Sequence, residues 1–175
     1  MGRKLNVFFY SMDSVGHVNA CLGLAQELAK RGHNITFFTT KAFEGHFKKW
    51  NFNEIPLIKE TKKENNKKEE EDPAKAFGSA LLESGMLSNK STLEKNSIFN
   101  EMMVHMWDES LDEVYQFDIQ IQKSIEELKP DVIILEHVLF APSVVKSGIP
   151  WVMVESANPL SLYNSNDLSP YKSGW

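Results

Sequence analysis

Two residues of this 175-residue sequence combine a side chain suited to proton transfer with a position after a predicted strand: His17 and Glu136. His17 stands at the start of a helical pattern, where the positive end of the helix dipole favours the neutral imidazole. A neutral imidazole is a suitable general base for a hydroxyl near pH 7. Glu136 ends a buried apolar run, and a buried carboxylate needs partners. If the two strands are neighbours, we expect Glu136 to hold the imidazole tautomer and to stabilise its protonated form.

Both positions also have simpler explanations. His17 can cap the helix or pack in the turn, and Glu136 can be a solvated residue at a strand end. Asp13 and Ser14, in the same loop as His17, are candidates for capping the helix N-terminus. His137 is the weaker candidate base, because strand alternation points it to the face opposite Glu136. The catalytic hypothesis therefore depends on the adjacency of the two strands.

Other kinds of site find less support. The sequence contains no G-x-S-x-G nucleophile motif and no His/Cys cluster with metal-ligand spacing, so we expect no metal. Gly16 stands alone in the loop before the helix and is expected to let the chain turn there, while Gly23 lies seven residues further on. A dinucleotide fold would need G-x-G-x-x-G at this turn. A nicotinamide-dependent oxidoreductase is thus disfavoured but stays open.

Composition and charge exclude further classes. The net charge of −5 argues against non-specific binding of nucleic acid, which needs a basic surface. The single cysteine, Cys21, rules out an intrachain disulfide and is expected to be a small buried apolar residue. No apolar run approaches the length of a membrane span, and the N-terminus lacks the features of a signal peptide. We therefore expect a cytoplasmic protein with one domain.

The elements that must position these residues follow from hydrophobic periodicity. Five apolar runs are predicted to be strands: Lys4–Tyr10, Asn34–Thr40, residues 51–58, Pro130–His137 and the segment that begins at Ile149. Helical spacing predicts a first helix with an apolar face from Val18 to Ala29, ended by Gly32. Further helices are expected over residues 41–50, from Pro73 to Leu128, and within residues 138–148.

Two segments in the middle of the chain have special composition. Residues 59–75 are mostly Lys and Glu, cannot bury enough apolar surface to offset their ordering entropy, and are predicted to be a mobile surface loop. An electrostatic docking site is the alternative there. The helical region carries a Met-rich apolar stripe, formed by Ile98, Phe99, Met102, Met103 and Met106. Such a stripe is more often core than a binding surface, although it would suit a hydrophobic small molecule if exposed.

Strand, helix and strand within the first forty residues form a βαβ unit, which requires a parallel sheet with a right-handed crossover. The fold class predicted is therefore α/β: a Rossmann-like open parallel sheet with helices on both faces. Ligands of such sheets bind outside the carboxyl ends of the strands. Both His17 and Glu136 fall at that edge.

Two stretches resemble a known family. GHVNACLGLAQELAKRGHNITFFT resembles the first βαβ unit of the UDP-dependent glycosyltransferases with the two-domain GT-B architecture. PDVIILEH and SGIPWVMVESANPLSLY resemble the fourth and fifth strands of the same N-terminal domain. The resemblance covers both ends of the chain, in order and at plausible spacing. It implies that the chain is the N-terminal, acceptor-side half of a GT-B fold.

The resemblance also implies a mechanism. His17 matches the family's catalytic histidine, which takes the proton of an acceptor hydroxyl as that oxygen attacks the anomeric carbon and displaces UDP with inversion. The family's orienting residue is an aspartate, and Glu136 matches its position. The extra methylene moves the carboxylate by roughly 1.5 Å on a fixed backbone. The implied acceptor is a small lipophilic molecule, the implied role is detoxification, the implied co-substrate is a UDP-sugar, and no cofactor or metal is implied.

Six residues are candidates for acceptor contacts, although core packing explains each of them as well: Phe43, Phe77, Met86, Met102, Met106 and Leu139. In the family a second, C-terminal domain holds most of the nucleotide-sugar. This sequence stops at Trp175 without the donor signature of that domain. We therefore expect a single acceptor-binding domain, residues 1–175, incomplete at its C-terminus and inactive alone. The alternative is a non-catalytic half-enzyme that binds lipophiles, or one subunit of a split transferase whose partner chain supplies the donor half.

Overall fold

The structure, a computed structural model of the chain, describes residues 2–59 and 73–156, without the side chains of residues 73, 74, 76, 77 and 109. Five parallel strands form one sheet in the order β3-β2-β1-β4-β5. Their bounds are β1 Asn6–Ser11, β2 Asn34–Thr39, β3 Asn53–Pro56, β4 Val132–Glu136 and β5 Trp151–Met153. The Rossmann-like α/β class predicted from the sequence is confirmed.

The central strand β1 and its neighbour β4 are apolar because helices cover them on both sides. β1 pairs with β4 from Val7 opposite Val132 to Ser11 opposite Glu136. Apart from the polar residues near their ends, both strands are continuous apolar runs, as expected of parallel strands without a solvent face. This register brings the carboxyl ends of β1 and β4 to the same edge of the sheet.

The described residues contain four α-helices: α1 Val15–Lys30, α2 Pro73–Glu83, α3 Thr92–Leu128 and α4 Pro142–Lys146. α1 buries Val18, Cys21, Leu22 and Ala25 against one face of the sheet, together with Phe9 and Phe37. α3 and α4 pack on the other face, where Phe117, Ile121 and Val144 meet Phe8 and Tyr10. The prediction of helices on both faces is confirmed, and Gly32 follows α1 with a φ of 92°, as expected of a glycine beyond a helix end.

Several boundaries differ from the sequence prediction. The helical region from Pro73 to Leu128 is two helices, because Gly85 takes a φ of 75° in the turn between them and Ser91 starts α3 with a capping box. The helix expected over residues 41–50 is two short 3₁₀ turns, Lys41–Phe43 and Lys48–Trp50. Residues 73–75, assigned to the charged loop, begin α2, and the rest of that loop from residue 60 lies outside the described residues.

The order of the strands locates the place where the chain changes direction across the sheet. From β1 the chain proceeds to β2 and β3 on one side, and β4 and β5 lie on the other. The gap between the carboxyl ends of β1 and β4 is therefore the topological switch point, where open α/β sheets form a crevice for ligands.

Candidate active site

His17 and Glu136 meet at the switch point between β1 and β4. His17 Nδ1 lies 2.6 Å from Oε1 and 2.7 Å from Oε2 of Glu136. An ionised carboxylate only accepts hydrogen bonds, so the network assigns the proton of the neutral imidazole to Nδ1. Nε2 then carries the lone pair, which is the arrangement that a general base needs. The contact that strand adjacency predicted is present; its catalytic role stays a prediction.

The two partners differ in exposure. The side chain of Glu136 is 3% exposed and that of His17 is 22% exposed. Glu136 is thus a buried carboxylate, and the imidazole lies between it and the solvent-accessible edge of the sheet. The extra methylene of glutamate does not prevent the contact, because the carboxylate reaches Nδ1 at ordinary hydrogen-bond distances. A hydrogen bond from Met12 N to Glu136 O, 2.9 Å long, extends the β1–β4 pairing to this point.

The loop that leads into α1 positions His17 without the capping contacts expected from the sequence. Ser14 is the N-cap residue, but its side chain makes no capping hydrogen bond, and Asp13 instead accepts a hydrogen bond from the Thr40 hydroxyl. The expectation that Gly16 lets the chain turn before the helix is wrong. Gly16 lies in the first turn of α1 without a positive φ, and a Cβ there would meet nothing within 4 Å. His17 follows it in that same first turn.

Ser156 is a third member of the site that the sequence analysis missed. Its hydroxyl donates to Glu136 Oε1 at 2.6 Å and lies 3.1 Å from His17 Nδ1. Its backbone N–H also approaches Oε1, at 3.3 Å. Ser156 follows β5, and the available signal was its position after a predicted strand at the carboxyl edge of the sheet.

His137 lies on the opposite face of the sheet and has a different environment. Its ring stacks on Tyr10, with centroids 5.0 Å apart and planes 11° apart, and its Nδ1 accepts a hydrogen bond from Leu139 N at 3.1 Å. Burial lowers the pKa of His137 to about 4. The side chain is therefore a neutral packing partner near pH 7, in agreement with its ranking below His17.

A narrow cleft of about 30 Å³ lies beside His137, on the α3 face of the sheet edge. The residues that line it are Tyr10, Ser11, Asp13, Thr40, Glu113, Phe117 and His137. Burial raises the pKa of Asp13 to about 6, and the hydrogen bond from Thr40 opposes that shift. A volume of this size holds one or two water molecules rather than an organic molecule.

The six candidate acceptor residues are dispersed, and none of them lines this cleft. Phe43 is partly buried against the core under α1, and Leu139 bonds to His137 through its backbone. Met86 lies in the turn between α2 and α3, whereas Met102 and Met106 lie half-buried on the N-terminal half of α3. The side chain of Phe77 lies outside the described residues. Their role in acceptor binding stays a prediction.

The single cysteine, Cys21, belongs to the apolar core. Cys21 is fully buried, as predicted, and burial, with the nearby Glu136 charge as a second cause, raises the pKa of its thiol to about 12. Within residues 2–59 and 73–156, no group of three His, Cys, Asp or Glu side chains could hold a metal ion. No helix in the same ranges is long and apolar enough to cross a bilayer.

Comparison with solved structures identifies the fold. The calicheamicin glycosyltransferase CalG4 matches 99% of this chain with a TM-score of 0.56 and 18% sequence identity. The glycosyltransferase of kitacinnamycin matches 89% of the chain with a TM-score of 0.52 and 17% identity. The chain has the Rossmann-like fold of a GT-B glycosyltransferase domain. The glycosyltransferase SnogD from Streptomyces nogalater is similar over 88% of the chain, with a TM-score of 0.50 and 12% identity.

These matches define how far the likeness extends. This GT-B-type domain spans about a third of the length of the glycosyltransferases it matches, since it covers 37% of CalG4, 31% of the kitacinnamycin enzyme and 35% of SnogD. No protein-family model matches its sequence, and a search of curated proteins gives no match. At these identities the likeness establishes the fold, and the chemistry has to be argued from the site.

Proposed function

We propose that this domain is the acceptor side of a UDP-dependent glycosyltransferase, in which His17 is the general base and Glu136 orients it. The observation that carries the proposal is the contact of His17 Nδ1 with both carboxylate oxygens of Glu136, at 2.6 and 2.7 Å. With Nδ1 protonated and held by the carboxylate, Nε2 is the nitrogen that accepts a proton.

The reaction follows from that geometry. Nε2 of His17 removes the proton of an acceptor hydroxyl while the acceptor oxygen attacks the anomeric carbon of the UDP-sugar. The bond from the anomeric carbon to the UDP oxygen breaks, UDP leaves with the electron pair, and the anomeric configuration inverts. Glu136 stabilises the imidazolium that forms, because its buried carboxylate is already in place before the proton moves.

The acceptor class is part of the same proposal. A small lipophilic acceptor with a phenolic or alcoholic hydroxyl is proposed, because the reaction needs a hydroxyl whose proton Nε2 of His17 can accept. Conversion of such compounds into glycosides, as in detoxification, follows as a further proposal, and so does a cytoplasmic location. The donor half of the site is proposed to come from residues beyond this domain or from a partner chain.

The test combines binding and transfer. The purified chain, labelled with ¹⁵N-histidine, is titrated with a panel of phenols while the ring resonances of His17 are followed. It is then incubated with UDP-glucose, UDP-glucuronate and UDP-N-acetylglucosamine, alone and with a separately produced GT-B donor domain, and glycosides are measured by mass spectrometry. Transfer that is lost in His17→Gln supports the proposal. Absence of both phenol binding at His17 and transfer under every condition overturns it.

The alternative is a half-enzyme that binds lipophiles without catalysis. A phenol that perturbs His17 with micromolar affinity, together with no glycoside under any donor condition, favours this alternative. The alternative shares the acceptor-binding surface with the first proposal and differs from it in the role of His17.

A further inference from the structure

We propose that Ser156 is a positioning residue that fixes the Glu136 carboxylate against His17, an inference that rests on the proposed function for its catalytic meaning. Ser156 donates its hydroxyl to Glu136 Oε1 at 2.6 Å, and its backbone N–H approaches the same oxygen at 3.3 Å. Oε1 is thus held by two groups of one residue while it also faces His17 Nδ1.

The need for such a residue follows from the length of the glutamate side chain. Glutamate has one more rotatable bond than aspartate, and a contact with the imidazole alone leaves the carboxylate free to rotate about its terminal bonds. A donor on Oε1 removes that freedom and leaves both oxygens within 2.7 Å of Nδ1. Hydrogen bonds to a charged group are among the stronger ones in proteins, so one donor is sufficient to matter.

The sheet places Ser156 at the required position. Leu135 of β4 pairs with Met153 of β5, and Val154 N donates to Leu135 O at 2.7 Å, so the pairing continues one residue beyond β5. Val154 packs against the core under α1, which is the face that Glu136 shares. Ser156 lies two residues further and returns to that face.

The geometry distinguishes positioning from nucleophilic catalysis. In a hydrolase triad the serine and the carboxylate bind different imidazole nitrogens. Here Ser156 Oγ lies 3.1 Å from Nδ1, the nitrogen that Glu136 already occupies. Ser156 therefore has no base of its own and acts through Glu136.

The inference is tested by the tautomer of His17, which a serine with a merely structural role would not alter. In the neutral imidazole, ¹⁵N chemical shifts of Nδ1 and Nε2 report the fraction with the proton on Nδ1. We expect this tautomer to dominate in the wild type and the ratio of the Nδ1–H to the Nε2–H form to fall about tenfold in Ser156→Ala. Ser156→Thr, which keeps the hydroxyl, restores the wild-type ratio. Ser97→Ala, an exposed serine on α3, is the matched control.

A second background shows whether Ser156 acts through Glu136. In Glu136→Leu no oxygen remains at position 136 to accept from the Ser156 hydroxyl or from His17 Nδ1, so adding Ser156→Ala is expected to change the tautomer ratio no further. A wild-type ratio in Ser156→Ala, or an additive effect in the double variant, overturns the inference.

The outcome separates this inference from the proposed function, because the tautomer measurement needs no turnover. A tautomer that responds to Ser156→Ala without any transfer that depends on His17 leaves the positioning contact standing and overturns the proposed function. If transfer depends on His17 but the tautomer ratio is unchanged in Ser156→Ala, the proposed function stands and the positioning role of Ser156 is overturned. Where both hold, Ser156→Ala lowers kcat about tenfold with little change in the acceptor KM.

Discussion

Glu136 and His137 are consecutive in the chain, and their side chains lie on opposite faces of the sheet. Glu136 contacts His17 under α1, at 2.6 Å, whereas His137 stacks on Tyr10 under α3. The strand alternation of β4 therefore divides one sheet edge into two chemical environments. One contains the hydrogen-bonded pair of His17 and Glu136, and the other contains the neutral imidazole of His137 and the carboxyl of Asp13. The predictions below treat the two environments separately.

Replacement of His17 tests the proposed base directly. Glutamine can still donate to the buried Glu136 carboxylate, so His17→Gln is expected to fold, while it has no nitrogen able to accept the proton. We expect kcat for glycoside formation to fall about 10²- to 10⁴-fold, the usual contribution of a general base. His105→Gln, an exposed position on α3, serves as the control. Equal rates in the two variants would show that His17 is not the base.

Glu136→Asp tests how closely the side-chain length is matched to this backbone. The shorter side chain withdraws the carboxylate by roughly 1.5 Å from a contact that is now 2.6–2.7 Å long. We expect a loss of up to about 100-fold in kcat, since misplacements of this size cost that much. Glu101→Asp on the exposed surface of α3 controls for the change of residue type. A rate at or above that of the wild type would mean that the backbone adjusts to the shorter residue.

His137 makes stability depend on pH. Its pKa is about 4 in the folded state against 6.5 ordinarily, so between these values the unfolded chain binds more protons. The contribution of His137 to the free energy of unfolding therefore declines as the pH falls from about 6.5 to about 4, by up to about 3 kcal/mol. His137→Asn, whose Oδ1 can accept from Leu139 N, is expected to lack this dependence in urea unfolding. An identical pH slope in the variant and the wild type would contradict the assignment.

Asp13 makes the free energy of unfolding depend on pH in the direction opposite to that of His137. Its pKa is raised from 3.8 to about 6, so in this interval the folded chain holds a proton that the unfolded chain releases. Stability from this group is present at low pH and is lost as the pH rises through that interval. Asp13→Asn, which can still accept from the Thr40 hydroxyl, is expected to be more stable than the wild type at pH 7 by about 1–3 kcal/mol and no more stable at pH 4. Thermal unfolding at the two pH values measures the difference.

The pH intervals in which Asp13 and His137 change the free energy of unfolding overlap, and the two changes have opposite signs. Between about pH 4 and 6 the contributions of Asp13 and His137 oppose each other, so the unfolding free energy of the wild type changes little from these two groups. Each single variant is expected to reveal the slope of the other group, and the double variant to return to a flat profile. Parallel profiles for both single variants would show that another group controls this range.

The strands and the fold class were predictable because buried parallel strands are continuous apolar runs, which the periodicity of β1 and β4 shows directly. The boundaries of the helices were less accessible. Gly85 and Ser91 interrupt a region whose apolar spacing continues on both sides, so the pattern alone does not reveal the break. The two 3₁₀ turns that follow β2 are separated by Gly45, whose φ is 78°, and Glu54 of β3 accepts hydrogen bonds from Gly45 N and Phe47 N.

The site was predictable in part for a related reason. His17 and Glu136 could be paired because each ends a strand-like run, and strand adjacency supplies the rest. Ser156 could not be assigned, since its role depends on the register of β5 against β4 and on the rotamer of Glu136. The hydrogen bond from Thr40 to Asp13 likewise joins two loops that are distant in the sequence. The sequence near Asp13 instead indicated that this residue caps the N-terminus of α1.

The separation of His17 and Glu136 along the chain, 119 positions, has a consequence for the order in which the molecule folds. α1 and its flanking strands can form from contacts between near neighbours, but β1 meets β4 only after a long loop is closed, which is the slow kind of step. We therefore expect the contact between His17 and Glu136 to form late, after the βαβ unit. A partly folded or nascent chain that already contains α1 would then still lack the contact that orients His17, so that under the proposed function transfer would begin only after β4 has joined β1.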